Sequence, residues 1–220
     1  ITSVTDNTAP VTGALTSGAY TNDTSPVIKV SLTGTKAIAG DMVQLYNGTG
    51  TTSQLGSSYT LTSTDITNGY ATVQPGTLLN GSTYNITSRI TSTVDGLQSN
   101  ASSAFTIIVD TVAPNAPTGL ADTAIVSGYV NSANDLAGQA LTGTAEANST
   151  ITIYNNGVQL GTTTANASGA WSYTLGVLTT QGAYSLTATS RDAAGNISSA
   201  SSALTFTLDT IAPTSVDLSA

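Results

Sequence analysis

The side chains able to do chemistry in this chain are nearly all carboxylates. Among 220 residues there is neither Cys nor His, which closes off thiolate and imidazole nucleophiles, zinc fingers, iron–sulfur ligation and the Ser-His-Asp triad. A metal would have to be held by carboxylate, amide and carbonyl oxygens, a donor set that suits calcium or magnesium. Twelve acidic residues against four basic ones give a net charge of −8, which argues against nucleic acid or an anionic membrane as partner. Three acids from well-separated segments, Asp110, Glu146 and Asp192, are the principal candidates, with Asn196 as a further oxygen donor. Brought together without a cation they would repel; a divalent ion resolves that.

The elements that must position them come from internal repetition and period-two patterning. Asp110-Thr111-Val112-Ala113-Pro114 recurs as Asp209-Thr210-Ile211-Ala212-Pro213, and a variant stands at Asp6-Asn7-Thr8-Ala9-Pro10. Between these marks Tyr20 matches Tyr129, Thr33-Gly34-Thr35 matches Thr142-Gly143-Thr144, Tyr46 matches Tyr154 and Tyr84 matches Tyr184. Two homologous units are expected, 1–110 and 111–220, with 213–220 as the link toward a further repeat. Leu204, Phe206 and Leu208 alternate with threonines, as do Phe105, Ile107 and Val109 with their neighbours, the mark of half-buried antiparallel strands. Asn68-Gly69, Asn80-Gly81, Asp95-Gly96 and Asn156-Gly157 supply turns. The fold class is all-β: two tandem immunoglobulin-like sandwiches of about seven strands each. In the second unit strands A to G are expected near Thr118–Ala124, Gln139–Thr144, Thr150–Asn155, Val158–Thr164, Ala170–Leu175, Ala183–Arg191 and Ser201–Asp209. Tyr84 and Tyr184 open strand F, either as tyrosine corners or as ordinary core aromatics. The longest aliphatic run, Ile107-Ile108-Val109, falls far short of the ~20 apolar residues of a membrane helix.

A sandwich of this kind receives the chain at one pole, beside the B–C, D–E and F–G loops, and releases it at the other. Asp110 ends the last strand of unit one; Glu146 lies in the B–C loop and Asp192 in the F–G loop of unit two. The three are therefore expected to converge on a calcium ion at the junction, helped by the carbonyls of Thr111-Val112 and by Asn196. Unit one should carry a weaker copy. Its entering acid is Asp6, but Ala37 stands opposite Glu146 with Lys36 beside it, and Ser92 stands opposite Asp192. Asp41 and Asp95 are the residues that could compensate. Asp23 and Asp135, in A–B loops, are secondary ligand candidates, and Asp209 should lack its junction partners. Asp122 reads as a surface acid.

The boundary phrase, with Gly143-Thr144-Ala145-Glu146 and Asp192-Ala193-Ala194-Gly195-Asn196, resembles the bacterial Ig-like repeats of giant biofilm-associated, RTX and type I-secreted surface adhesins. The resemblance covers the whole chain. It implies a non-enzymatic extender on the bacterial cell surface, with neighbouring repeats of the same chain as partners and calcium at the junction. It favours the same three acids. A chain opening at Ile1 without a leader reads as a monomeric piece of something longer. A Ser-Lys dyad would need Lys29 or Lys36, both in unit one, and the lone Trp171 sits in core register rather than in a sugar-binding cleft. The main alternative is a calcium-assisted carbohydrate- or ligand-binding module using Tyr20, Tyr59 or Tyr129. An ice-binding threonine face and a hydrolase accessory domain are further alternatives.

Overall fold

The computed structural model describes residues 1–212; the expected link 213–220 lies outside the described residues. The chain divides into two compact units, Ile1–Val112 and the part from Ala113 on, with the short stretch Ala193–Asn196 grouped with the first.

The first unit runs β1 (Ser3–Asp6), β2 (Gly13–Ala14), β3 (Ala19–Thr21), β4 (Val27–Ser31), β5 (Met42–Asn47), β6 (Gln54–Thr60), α1 (Ser63–Asn68), β7 (Tyr70–Val73), β8 (Ser82–Thr91) and β9 (Phe105–Val109). One sheet has the order β2-β1-β4-β7 and the other β3-β9-β8-β5-β6. Their facing sides bury Val4, Ile28 and Val30 from one and Val43, Leu45, Ile86, Ile107 and Val109 from the other. Each such side chain contributes about 1.5–3 kcal/mol by leaving water. The second unit runs β10 (Thr118–Ala121), β11 (Tyr129–Val130), β12 (Ala140–Thr144), β13 (Thr150–Asn155), β14 (Val158–Thr164), β15 (Ala170–Thr174), β16 (Gly182–Arg191) and β17 (Leu204–Leu208). Its sheets are β10-β12-β15 and β11-β17-β16-β13-β14, and Leu141, Ile151, Ile153, Trp171, Leu186, Phe206 and Leu208 fill the space between them. The alternation works as expected: in β13 Ile151 and Ile153 are buried while Thr150 and Thr152, alternating with them, are only half-buried.

Three details depart from the expected layout. An immunoglobulin D strand would pair with strand E; Val158–Thr164 instead pairs with β13 and stays in its sheet. Each unit has a short strand that the hydrophobic pattern does not announce, β3 and β11, running parallel to β9 and β17 respectively. Three or two residues are too few to show a period. The first unit also contains a short helix, α1. Thr62 and Asp65 form a reciprocal capping box at its start, and Gly69, with φ 74°, ends it by donating to the Asp65 and Ile66 carbonyls. A six-residue helix with no buried residue leaves no apolar stripe to read.

Tyr84 and Tyr184 do reach upstream backbone, as a tyrosine corner does. The Tyr84 hydroxyl accepts from the Leu79 amide (2.8 Å) and the Tyr184 hydroxyl donates to the Thr180 carbonyl (3.0 Å). Tyr184 also stacks on Phe206, ring centroids 5.0 Å apart.

Candidate metal centre

The acids fall into groups at the ends of the two sandwiches. In the second unit β12 and β16 deliver Glu146 and Asp192 to the same end. The registers fix this: Thr118 pairs with Thr144, and Thr150 with Arg191. The Glu146 loop is held from within. Ser149 donates to the Glu146 carbonyl through both amide (3.2 Å) and hydroxyl (2.7 Å), and the Ala145 amide donates to Gly169 O (2.9 Å). The Glu146 side chain is exposed and Asp192 half-buried. The segment leading into β10 is tied to the same end by Ser190 Oγ donating to Asn115 O (3.1 Å). A shallow groove there is lined by Asn115, Ala116, Thr118, Thr144, Ala145 and Glu146.

Asp110 directly follows β9. Its amide donates to Thr21 O (2.9 Å), its carboxylate accepts from the Val112 amide (3.0 Å), and its carbonyl accepts from Asn196 Nδ2 (2.8 Å). Asp209 repeats the construction after β17: its amide donates to Val130 O (2.9 Å) and its carboxylate accepts from the Ile211 amide (3.2 Å).

Asp6 is not where the repeated phrase suggests. The local turn is the same, with the Thr8 amide donating to the Asp6 carboxylate at 2.8 Å. But Asp6 closes β1, whose Thr5 pairs with Val27 at the start of β4. That puts Asp6 at the end of the unit where β9 finishes, opposite to the end of Asp41 and Asp95. There it accepts from the Thr21 hydroxyl (2.6 Å), while Asp23 accepts from the Asn7 (3.0 Å) and Ser25 (2.8 Å) amides. Asp6 and Asp23 are both buried, and the side-chain oxygen of neighbouring Asn22 is buried without a hydrogen-bond partner. An all-oxygen donor set of this kind fits a hard cation and no soft one. The second unit has Val130 where the first has Thr21, so the internal repeat gives no sign of this hydroxyl's role.

At the other end of the first unit Asp41 is buried. It ties the loop before β5 to the loop after β8. Its carboxylate accepts from the Ile38 amide (3.0 Å), the Thr93 amide (3.0 Å) and the Thr93 hydroxyl (3.2 Å). Those two amides hold its carboxyl below the ordinary carboxylate value. Asp95 is lowered too, chiefly by the Leu97 amide and the Ser92 hydroxyl, against the neighbouring charge of Asp41.

In the second unit Asp135 accepts from the Leu178 amide (2.8 Å) and Gln139 Nε2 (3.3 Å), tying its loop to the connection between β15 and β16. Asp122, expected on the surface, is buried: it follows β10 directly and accepts from the Ala124 amide (2.9 Å). Among the described residues no three acidic side chains stand close enough together to hold a metal ion by themselves.

Residues 131–210 match the bacterial Ig-like domain family, so the second unit carries a bacterial Ig-like domain. No curated protein matches the chain. Among solved structures, the chain is similar to the BSP domain of a biofilm-associated protein at 22% identity, covering 90% of this chain and 29% of that one, TM-score 0.31. It is similar to an adhesin described as Ca2+-stabilised, with which an Antarctic bacterium binds ice, at 26% identity over 87% of this chain and 45% of that one, TM-score 0.44. Domains of titin align at 11% identity over 88% of this chain and 62% of theirs, TM-score 0.46. The chain thus spans less than a third of the biofilm-associated structure.

Proposed function

We propose that the chain is a spacer: a pair of bacterial Ig-like repeats that extends a bacterial surface adhesin and is stiffened by calcium. The observation that carries the reading is the duplicated exit. Both units end in a strand followed by an Asp whose amide is bonded to the short parallel strand and whose carboxylate caps the amide two residues on. Repeating one construction at each exit is how a chain grows by adding identical modules. Calcium would be held by Asp110, Glu146 and Asp192, with Asn196 as a further oxygen ligand. It would supply charge neutralisation and crosslinking rather than catalysis. Neighbouring repeats are the partners, the setting is extracellular, and the role is non-enzymatic.

Titration with calcium, read by calorimetry and by thermal unfolding, tests this. Saturable binding that an Asp192→Ala variant loses is the expected result, with stabilisation of about 2.7 kcal/mol at a hundredfold excess over Kd. Absence of binding would remove calcium from the proposal, and binding unchanged in Asp192→Ala would remove Asp110, Glu146 and Asp192 as its ligands. Small-angle scattering with and without a chelator then reports on stiffening.

A second reading, a calcium-assisted carbohydrate-binding module, draws on Tyr20 and Tyr129, both exposed on the short strands β3 and β11. Reproducible calcium-dependent hits on a glycan array would favour it over the spacer.

A further inference from the structure

Asparagine followed by glycine is chemically labile. The glycine amide nitrogen attacks the asparagine Cγ, forming an N–Cγ bond; the Cγ–Nδ2 bond breaks and ammonia leaves with the displaced proton. Water then opens the cyclic imide at either carbonyl, giving aspartate or isoaspartate. The chain contains four such pairs, Asn47-Gly48, Asn68-Gly69, Asn80-Gly81 and Asn156-Gly157, and the fold treats them unequally.

In three of them the attacking amide is already engaged. Gly48 N donates to Asn85 O (2.7 Å), Gly69 N to Asp65 O (2.9 Å) and Gly81 N to Val109 O (2.8 Å). Two of the three side chains are pinned as well: Asn47 Oδ1 accepts from Asn85 N (2.9 Å) and Asn80 Oδ1 from Thr111 N (2.7 Å). The fourth is the tip of the β13–β14 hairpin, with both residues at positive φ, 50° and 80°, as a two-residue primed turn requires. Comparison of the two hairpins explains why it differs. Asn47 and Asn155 are equivalent, each accepting an amide from the neighbouring strand, Asn85 N and Ser185 N (3.1 Å). The next amide, Gly48 N in the first unit and Asn156 N in the second (to Ser185 O, 3.0 Å), completes the ladder. The second unit therefore has its glycine one residue beyond the last ladder bond. Gly157 N makes no backbone hydrogen bond among the described residues. Asn156 is exposed, and its side chain is restrained by only one long bond, Nδ2 to Ala183 O at 3.4 Å.

We infer that Asn156 is the spontaneous deamidation site of this protein, a modification that adds a negative charge to the exposed β13–β14 turn and, as isoaspartate, lengthens its backbone. The test is incubation of the whole folded chain at mildly alkaline pH, followed by peptide mapping for the mass change of NH2 exchanged for OH. A parallel sample is kept in denaturant. In denaturant all four pairs should react. In the folded chain product should accumulate at Asn156 at least about tenfold faster than at the other three, the factor that one backbone hydrogen bond represents. Equal or faster reaction at Asn47, Asn68 or Asn80 in the folded chain would overturn the inference. So would an intact Asn156 under conditions that deamidate the denatured chain.

Discussion

The two units meet the same demand at β6 and β14 with different atoms. Both strands carry Gln-Leu-Gly, Gln54-Leu55-Gly56 and Gln159-Leu160-Gly161, where the ladder to the preceding strand slips out of register. In both, the glycine admits a neighbour that a side chain would exclude. At Gly56 the neighbour is backbone: an added Cβ would lie 2.8 Å from Pro75 C and 2.9 Å from both Gln74 O and Gly76 N. At Gly161 it is a side chain, with the Tyr173 hydroxyl oxygen 2.5 Å from the added Cβ. That hydroxyl donates to Leu160 O (3.0 Å), and Thr163 Oγ1 donates to Ser172 O (2.8 Å). The outer edge of β14 is thus blunted by side chains, whereas β6 is approached by main chain. One motif therefore marks a place where something must come close, without saying what.

Substituting these glycines should separate the two solutions most clearly. Gly56→Ala meets backbone that cannot swing aside and sits at φ 65°; a loss of about 3 kcal/mol is expected. Gly161→Ala displaces a tyrosine that can rotate outward, and should cost about 1 kcal/mol. Chemical denaturation followed by circular dichroism reads both units, and the fluorescence of Trp171, the only Trp, singles out the transition of the second. Equal losses would mean that the two edges are closed alike.

A smaller difference is expected at the tyrosine corners. Tyr84 is buried and its hydroxyl satisfies an amide, whereas the Tyr184 bond is exposed. Tyr84→Phe should cost about 1 kcal/mol and Tyr184→Phe roughly half of that. Unfolding midpoints of the two variants, each compared with the parent chain, give the numbers.

The smallest effect is confined to acid. Asp41 has a folded carboxyl value below its unfolded one, so its contribution is complete above the ordinary carboxylate value of about 3.9 and is lost as pH falls through the lower folded value. Unfolding of the first unit should therefore become easier as pH drops below about 4. In Asp41→Asn that part of the slope should disappear, and an unchanged slope would mean that the brace at Ile38 and Thr93 does not depend on charge.

The repeated phrases and the alternation of β9, β13 and β17 made the fold legible, because burial on one face of a strand leaves a period of two. They also placed Glu146 and Asp192 on loops at one end of the second unit. What escaped was set by tertiary contact. Asp6 keeps the local turn of its phrase, yet the pairing of β1 with β4 decides at which end it lies. Asp122 looked solvated because nothing local shows that its carboxylate turns back toward Ala124. The helix α1 announced itself only through Thr62, Asp65 and Gly69, each of which also suits an ordinary turn.

The parallel pairing of β3 with β9, and of β11 with β17, has a mechanical meaning. The paired strands run in one direction, so tension on the chain draws the earlier strand toward its start and the later one toward its end. The bonds between them, Ala19 to Ile107 through Thr21 to Val109 in the first unit and Tyr129 to Thr207 and Val130 to Leu208 in the second, are then loaded in shear. They must yield together instead of peeling one at a time. A pull along the chain meets its resistance at the strand that leaves each unit, with the longer clasp in the first.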